Sequence, residues 1–254
     1  MPDSYRPAEI AELVQNAGVA KAALPLHALV MLSMLAGAFI AFGAAFYTVA
    51  MTGADAAYGP ARVLGGVAFS LGLILVIVGG AELFTGNALI VMAWVDRLVT
   101  TGALARNWAV VWSGNFAGAL LIAALVAASG LLAGPHGETA ARIAAGKLAL
   151  GPVEAFARAI LCNALVCLAI WLTFAARTAA GKILAIVFPI SAFVALGFEH
   201  SVANMYLLPV GMMAAGVLDL PGLAQNLLIT SAGNVVGGAG GVALAYRFAF
   251  KPQA

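Results

Sequence analysis

The sequence predicts an all-α membrane protein: six transmembrane helices arranged as an inverted 3+3 repeat, with the second and fifth helices broken. Three observations carry the prediction. Of 254 residues, 64% are hydrophobic and only 9% charged, with a mean hydropathy of +1.06, which would leave a water-soluble domain without a polar coat. Six segments reach the roughly 20 apolar residues that a spanning helix needs. A polar pattern then occurs twice inside this apolar sequence: Glu82, Asn87, Gly114, Asn115 and Gly118, and again Glu199, Asn204, Gly233, Asn234 and Gly237.

Ahead of the first span, Ile10, Leu13, Val14 and Ala17 recur at helical spacing behind Ser4 and Pro7, while Glu9, Glu12 and Gln15 take the other face. Residues 1–26 therefore read as an amphipathic helix on the cytoplasmic surface. A basic start followed at once by an apolar core and a small-residue cleavage site is missing, so no removable signal peptide is expected and the first span directs insertion. The spans follow at about 27–51, 63–93, 107–132, 154–176, 183–213 and 223–248, a transmembrane domain over 27–248 with repeats at 27–132 and 154–248. Residues 133–153 form the longest link on the outer side, and 249–254 a short cytoplasmic tail.

The second and fifth segments are too long for one straight crossing. They carry Gly79, Gly80, Glu82, Gly86 and Asn87 near the middle of one, and Gly197, Glu199, His200 and Asn204 near the middle of the other. Both read as broken helices, because non-helical backbone survives at membrane depth only where protein or a watery cavity satisfies it. Corresponding breaks in two halves of a membrane protein point to a substrate path near the midplane.

Orientation follows from the basic residues in short connections. Arg6, Lys21, Arg97, Arg106, Arg177, Lys182, Arg247 and Lys251 fall on one side; Arg62, Arg142, Lys147 and Arg158 fall on the other. Both termini are thus expected in the cytoplasm, and three spans per repeat force the second copy to enter from the opposite face. A net charge of +2, with cations scattered through the loops, gives no nucleic-acid footprint. Gly233, Gly237 and Gly241, like Gly114 and Gly118, form small-residue stripes that allow close helix approach, within a subunit or between subunits. Cys162 and Cys167, five apart on one helix, point about 140° apart and are expected to remain free.

The stretches GGAELFTGN (79–87) and GFEHSVANM (197–205), with WSGNFAG and SAGNVVGG in the third and sixth spans, resemble the formate/nitrite transporter family over nearly the whole chain. The resemblance implies an aquaporin-like fold, a homopentamer with one pore per subunit in a prokaryotic inner membrane, and passage of small monovalent anions with or without a proton. By position, His200 matches the family's central pore histidine, Thr85 the threonine that faces it, and Asn163 an amide nearby. Phe69, Leu73, Leu83 and Phe193 fall where the family has apolar constrictions, and Lys147 falls near a basic residue of the outer vestibule. Formate is the first expectation, since GFEHSVANM followed by Pro209, Gly211 and Met212 looks most like formate members; nitrite and hydrosulfide are the alternatives.

The residue chemistry is compatible with that picture. His200, beside Glu199 at a helix break, is the only histidine at midplane depth, suited to attracting an anion or relaying a proton. Glu82 and Glu199 would repel an anion, and their symmetry suggests a scaffold that ties loop N–H groups or partner-helix donors together, with Asn87, Asn204, Asn115 and Asn234 as its amides. Thr85 and Asn163 offer uncharged donors. A neutral-solute pore of the aquaporin type would need Asn-Pro-Ala at the breaks, which is missing. An intramembrane enzyme would have to build its site from the consecutive Glu199, His200 and Ser201, without a second acid or a Gly-x-Ser-x-Gly elbow. No enzymatic activity, metal or cofactor is expected.

Overall fold

The computed structural model describes residues 4–250; Lys251 and the rest of the predicted tail beyond Phe250 lie outside the described residues. Apart from one isolated bridge between Ser4 and Ala176, every regular element described is helical. Five helices are long and apolar enough to cross a membrane: α2 (Leu26–Ala50), α3 (Gly59–Gly79), α5 (Thr101–Ala128), α7 (Pro152–Ala175) and the continuous run Leu220–Phe250. That last run comprises α10 (Leu220–Val235), a π-helical stretch (Val236–Leu244) and α11 (Ala245–Phe250). The remaining helices are α1 (Pro7–Ala22), α4 (Val91–Val95), α6 (Pro135–Leu148), α8 (Ala179–Ala195) and α9 (Ser201–Ala215).

Several helices begin about a turn before their apolar runs. Thr100, Thr178 and Asp219 accept from the N–H groups of Ala103, Gly181 and Gly222 at 3.2, 3.0 and 2.9 Å. These are N-caps, which satisfy donors that the first turn leaves free. These first turns, rich in glycine and other small residues, fall short of the apolar runs that follow but carry the backbone geometry of a capped start.

Both expected breaks are present. Gly80 and Gly197 take the left-handed conformation, with φ of 81° and 72°. The next N–H in each case, from Ala81 and Phe198, returns to the carbonyl of Val76 and Phe193 at 2.9 and 3.0 Å. This is a helix stop that favours glycine. After the first break the chain resumes as a 3-10 turn, Gly86–Ile90, and then α4; after the second it resumes as α9.

Two expectations change. The link 133–153 is not a plain loop, for Pro135–Leu148 forms α6, which packs on α9 and carries His136. Helix α1 packs against the Gly86–Ile90 turn, α4 and α7, with Ile10, Ala11, Val14 and Gly18 buried. Gln15, expected on the polar face, is buried because its amide reaches the Asp96 carboxylate. The glycine stripes close helix pairs within the subunit. A β-carbon on Gly114 or Gly118 would run into Ser33 or the Met34 backbone of α2, and one on Gly233 or Gly237 into the backbone of α7, whereas Gly241 faces open space. Cys162 and Cys167 are buried and unbridged.

Candidate functional site

Each break is held by the same set of polar contacts. In the first, Glu82 takes the Lys21 ammonium at 2.5 Å on one carboxylate oxygen and the Asn87 amide at 2.8 Å on the other. Asn87 also donates to Asn107, and Asn107 donates to the Lys21 carbonyl. In the second, Glu199 takes Lys147 at 2.8 Å and Asn204 at 2.7 Å; Asn204 donates to Asn226, and Asn226 to the Lys147 carbonyl. The broken backbone is pinned by the repeated asparagines of α5 and α10. Asn115 donates to Ser33 O and Glu82 O and accepts from the Phe84 N–H. Asn234 donates to Ala159 O and Glu199 O and accepts from the Ser201 N–H.

Each carboxylate thus takes a lysine from another helix, Lys21 of α1 or Lys147 of α6, and a side-chain amide from five residues further along its own broken segment, Asn87 or Asn204. Pairing and hydrogen bonding are what make such buried charges tolerable. Sequence reading missed Lys21, Asn107 and Asn226 as members of this lattice. The asparagines were findable, because each lies eight residues before Asn115 or Asn234. The lysines were not, since Lys21 precedes its glutamate by 61 residues and Lys147 by 52.

Between the breaks two cavities approach from opposite ends. One, of about 300 Å3, is lined by Phe69, Phe193, His200, Lys147, Glu199 and Arg158 among others. The other, of about 230 Å3, is lined by Leu83, Glu82, Lys21, Gly86, Ile170 and Lys182 among others. Thr85 lines neither and lies between them, its hydroxyl 3.0 Å from His200 Nε2. Phe193 stacks on the His200 ring at 5.8 Å, and Phe69 meets Phe193 edge-on at 5.6 Å. Leu73 is buried beside this group without lining either cavity.

His200 caps α9: its Nδ1 accepts from the Ala203 N–H at 3.0 Å. In the neutral ring the proton therefore sits on Nε2 and is donated to Thr85 Oγ1, which leaves the threonine hydroxyl proton free for another acceptor. Asn163 is buried and its amide group is engaged. Its Nδ2 already serves the carbonyls of Thr85 and Asn234 at 3.1 and 2.6 Å, and the atom left without a partner is Oδ1. Gly238, in the π-helical stretch, makes room for it, since a β-carbon there would strike Asn163 Nδ2, Ala88 and Cys167. π-helical turns inside longer helices often mark functional sites.

Apolar helices long enough to span, two breaks held by matched polar contacts and a pair of cavities separated by the Thr85–His200 contact are the build of a membrane transport protein. The sequence profile described as Formate/nitrite transporter matches residues 8–248. An uncharacterized transporter, YrhG, of Bacillus subtilis is 42% identical over 98% of this chain and 94% of its own. A probable formate transporter of Methanothermobacter thermautotrophicus is 40% identical over the full length of both. A solved pentameric formate channel with formate bound superposes with a TM-score of 0.80 at 34% identity, covering 89% of this chain and 98% of that one. The chain belongs to the formate/nitrite transporter family.

Proposed function

We propose that the protein carries formate, or a similarly small monovalent anion, across a prokaryotic inner membrane through the path between the two cavities, with a proton passing by way of His200. The observation that supports this best is the Thr85–His200 pair, a side-chain hydrogen bond between the two breaks beside the apolar Phe69, Leu73, Leu83 and Phe193. A carboxylic acid of pKa about 4 is nearly all anion at pH 7, and a bare anion does not enter an apolar constriction cheaply. Desolvation there raises the acid's pKa. The neutral acid then passes where the ion would stall.

In this reading the Thr85 hydroxyl donates to the anion and His200 Nε2–H stands behind it. A ring protonated on both nitrogens is the form able to hand a proton on. Forming it requires Nδ1 to release the Ala203 N–H, so each proton relayed interrupts a helix cap worth about 1 kcal/mol. Nitrite and hydrosulfide fit the same plug in size and charge and are the alternatives. Uptake into proteoliposomes, with formate, nitrite, hydrosulfide, acetate and lactate in competition at several pH values, ranks them; no saturable uptake of any would sink the proposal.

The matched lattices support an aquaporin-like, inverted 3+3 repeat in which α8 and α9 together make the fifth crossing. The distribution of Lys and Arg supports cytoplasmic termini, with the Lys147 cavity facing outward and the Lys21 cavity inward. A homopentamer with one pore per subunit is proposed by similarity to the pentameric relative. Mass measurement of the detergent-solubilised protein decides it, a fully active monomer being the contrary result.

Phe69 and Phe193 are proposed to set the size limit. Phe193→Ala removes the ring that stacks on His200 and opens the outer constriction, so lactate flux should rise relative to formate flux. An unchanged ratio in liposomes would leave both aromatics as packing residues.

A further inference from the structure

The outer cavity is lined by three cations, Arg142, Lys147 and Arg158, against one carboxylate, Glu199. The carboxylate belongs to Lys147 at 2.8 Å, so the lining's remaining positive charge lies with the arginines, that of Arg158 being shared with the exposed Glu154. Arg158 donates to Gly197 O at 3.0 Å and to the exposed Glu154 at 2.6 Å. A second guanidinium approaches the same backbone position: a β-carbon on Gly197 would lie 3.0 Å from Arg62 Nη2 and 3.4 Å from Arg158 Nη1. Among the described residues no carboxylate pairs with Arg62. Arg142 is exposed at the rim, with a long contact to Thr139 Oγ1 at 3.4 Å.

Resting on the anion-transport reading, we propose that Arg62 and Arg158, converging over the side-chain-free Gly197, form a separate anion-collecting site at the outer mouth. It takes a small planar oxyanion, a carboxylate or nitrite, before that anion reaches His200. Arg158 is partly offset by the solvent-exposed Glu154 on its outer side, and the two guanidiniums brought against one backbone position still favour a negative charge between them. Their flat, forked donors match the two oxygens of such an anion better than an ammonium does. Gly197, with φ of 72°, both ends α8 and leaves the gap that a side chain would fill. The inner cavity is built differently: its cations are the lysines Lys21 and Lys182, with no arginine in its lining. Concentrating the anion beside the constriction raises its encounter rate with the plug, an effect that salt weakens.

Two measurements test this on the intact protein. The first is arginine modification by phenylglyoxal in detergent, read by mass spectrometry. Sodium formate should shield Arg62 and Arg158, whereas uncharged formamide should not; equal labelling with and without formate overturns the site. The second is concentration-dependent flux from the outer face. Arg62→Gln should raise the half-saturating formate concentration by about three- to tenfold at low ionic strength, with a much smaller effect on the maximal rate. The difference should fade as salt rises, and Arg62→Lys, which keeps the charge but not the fork, should recover only part of it. Identical half-saturation at all salt concentrations overturns the proposal. If formate shields Arg62 but the protein moves no anion, the site stands and the transport reading fails; normal flux without shielding removes only the site.

Discussion

Glu199→Ala is expected to destabilise the protein by about 3–5 kcal/mol, the usual cost of leaving one member of a buried ion pair alone. The substitution strands the Lys147 ammonium, whose side chain is only 16% exposed, and removes the acceptor of the Asn204 amide. For a chain of this length that corresponds to a fall of roughly 10 °C in thermal midpoint, measurable in detergent by loss of the monodisperse peak after heating. Glu82→Ala should cost less, because Lys21 is 33% exposed and water can recover part of its solvation. Removing both charges at once, Glu199→Leu with Lys147→Leu, should restore much of the loss, since a well-packed apolar pair commonly replaces a buried ion pair at little cost. If Glu199→Ala were as stable as the parent, the carboxylate would not hold the break.

His200→Asn is expected to leave the fold and assembly intact while flattening the pH dependence of formate flux. Asparagine is a good N-cap and can take over the bond from the Ala203 N–H. It does not reach Thr85 as the imidazole does and cannot exchange a proton over the range in which histidine titrates, about pH 5–8. Flux and current measured side by side in liposomes separate the outcomes. A mutant that still conducts the bare anion, with current rising relative to net acid movement, marks His200 as the proton's route. Unchanged coupling in a well-folded mutant would reduce His200 to the cap of α9.

Much of the fold was legible because the breaks are written as glycine and buried charge inside apolar runs. Gly80 and Gly197 stop their helices as glycines do, and the duplicated Glu and Asn positions announced a common scaffold before any contact was known. Helix α6 was not legible. Its alanines and glycines between Pro135 and Leu148 are weakly patterned, and it is helical where it packs on α9. Nor could spacing have shown that Gln15 turns inward to Asp96, a contact across 81 residues. At the site, His200 stood out by residue type as a polar group at a helix break, whereas Thr85 was reached only through its positional match to the family. Which atom of Asn163 lies unpartnered depends on where the Thr85 and Asn234 carbonyls fall, and sequence holds no trace of that.

The two polar lattices share no member. Lys21, Ser33, Glu82, Phe84, Asn87, Asn107 and Asn115 all precede residue 129, and Lys147, Ala159, Glu199, Ser201, Asn204, Asn226 and Asn234 all follow residue 135. Each half of the chain thus answers its own buried carboxylate. The lysine and the amide that Glu82 pairs with are therefore both made before any residue of the second lattice. The contacts that cross between halves at the centre are of another kind: Thr85 with His200, Asn163 with the Thr85 carbonyl, Phe69 with Phe193. The proposed passage would therefore belong to neither half, and would come into being only when the later-made half closes against the earlier one.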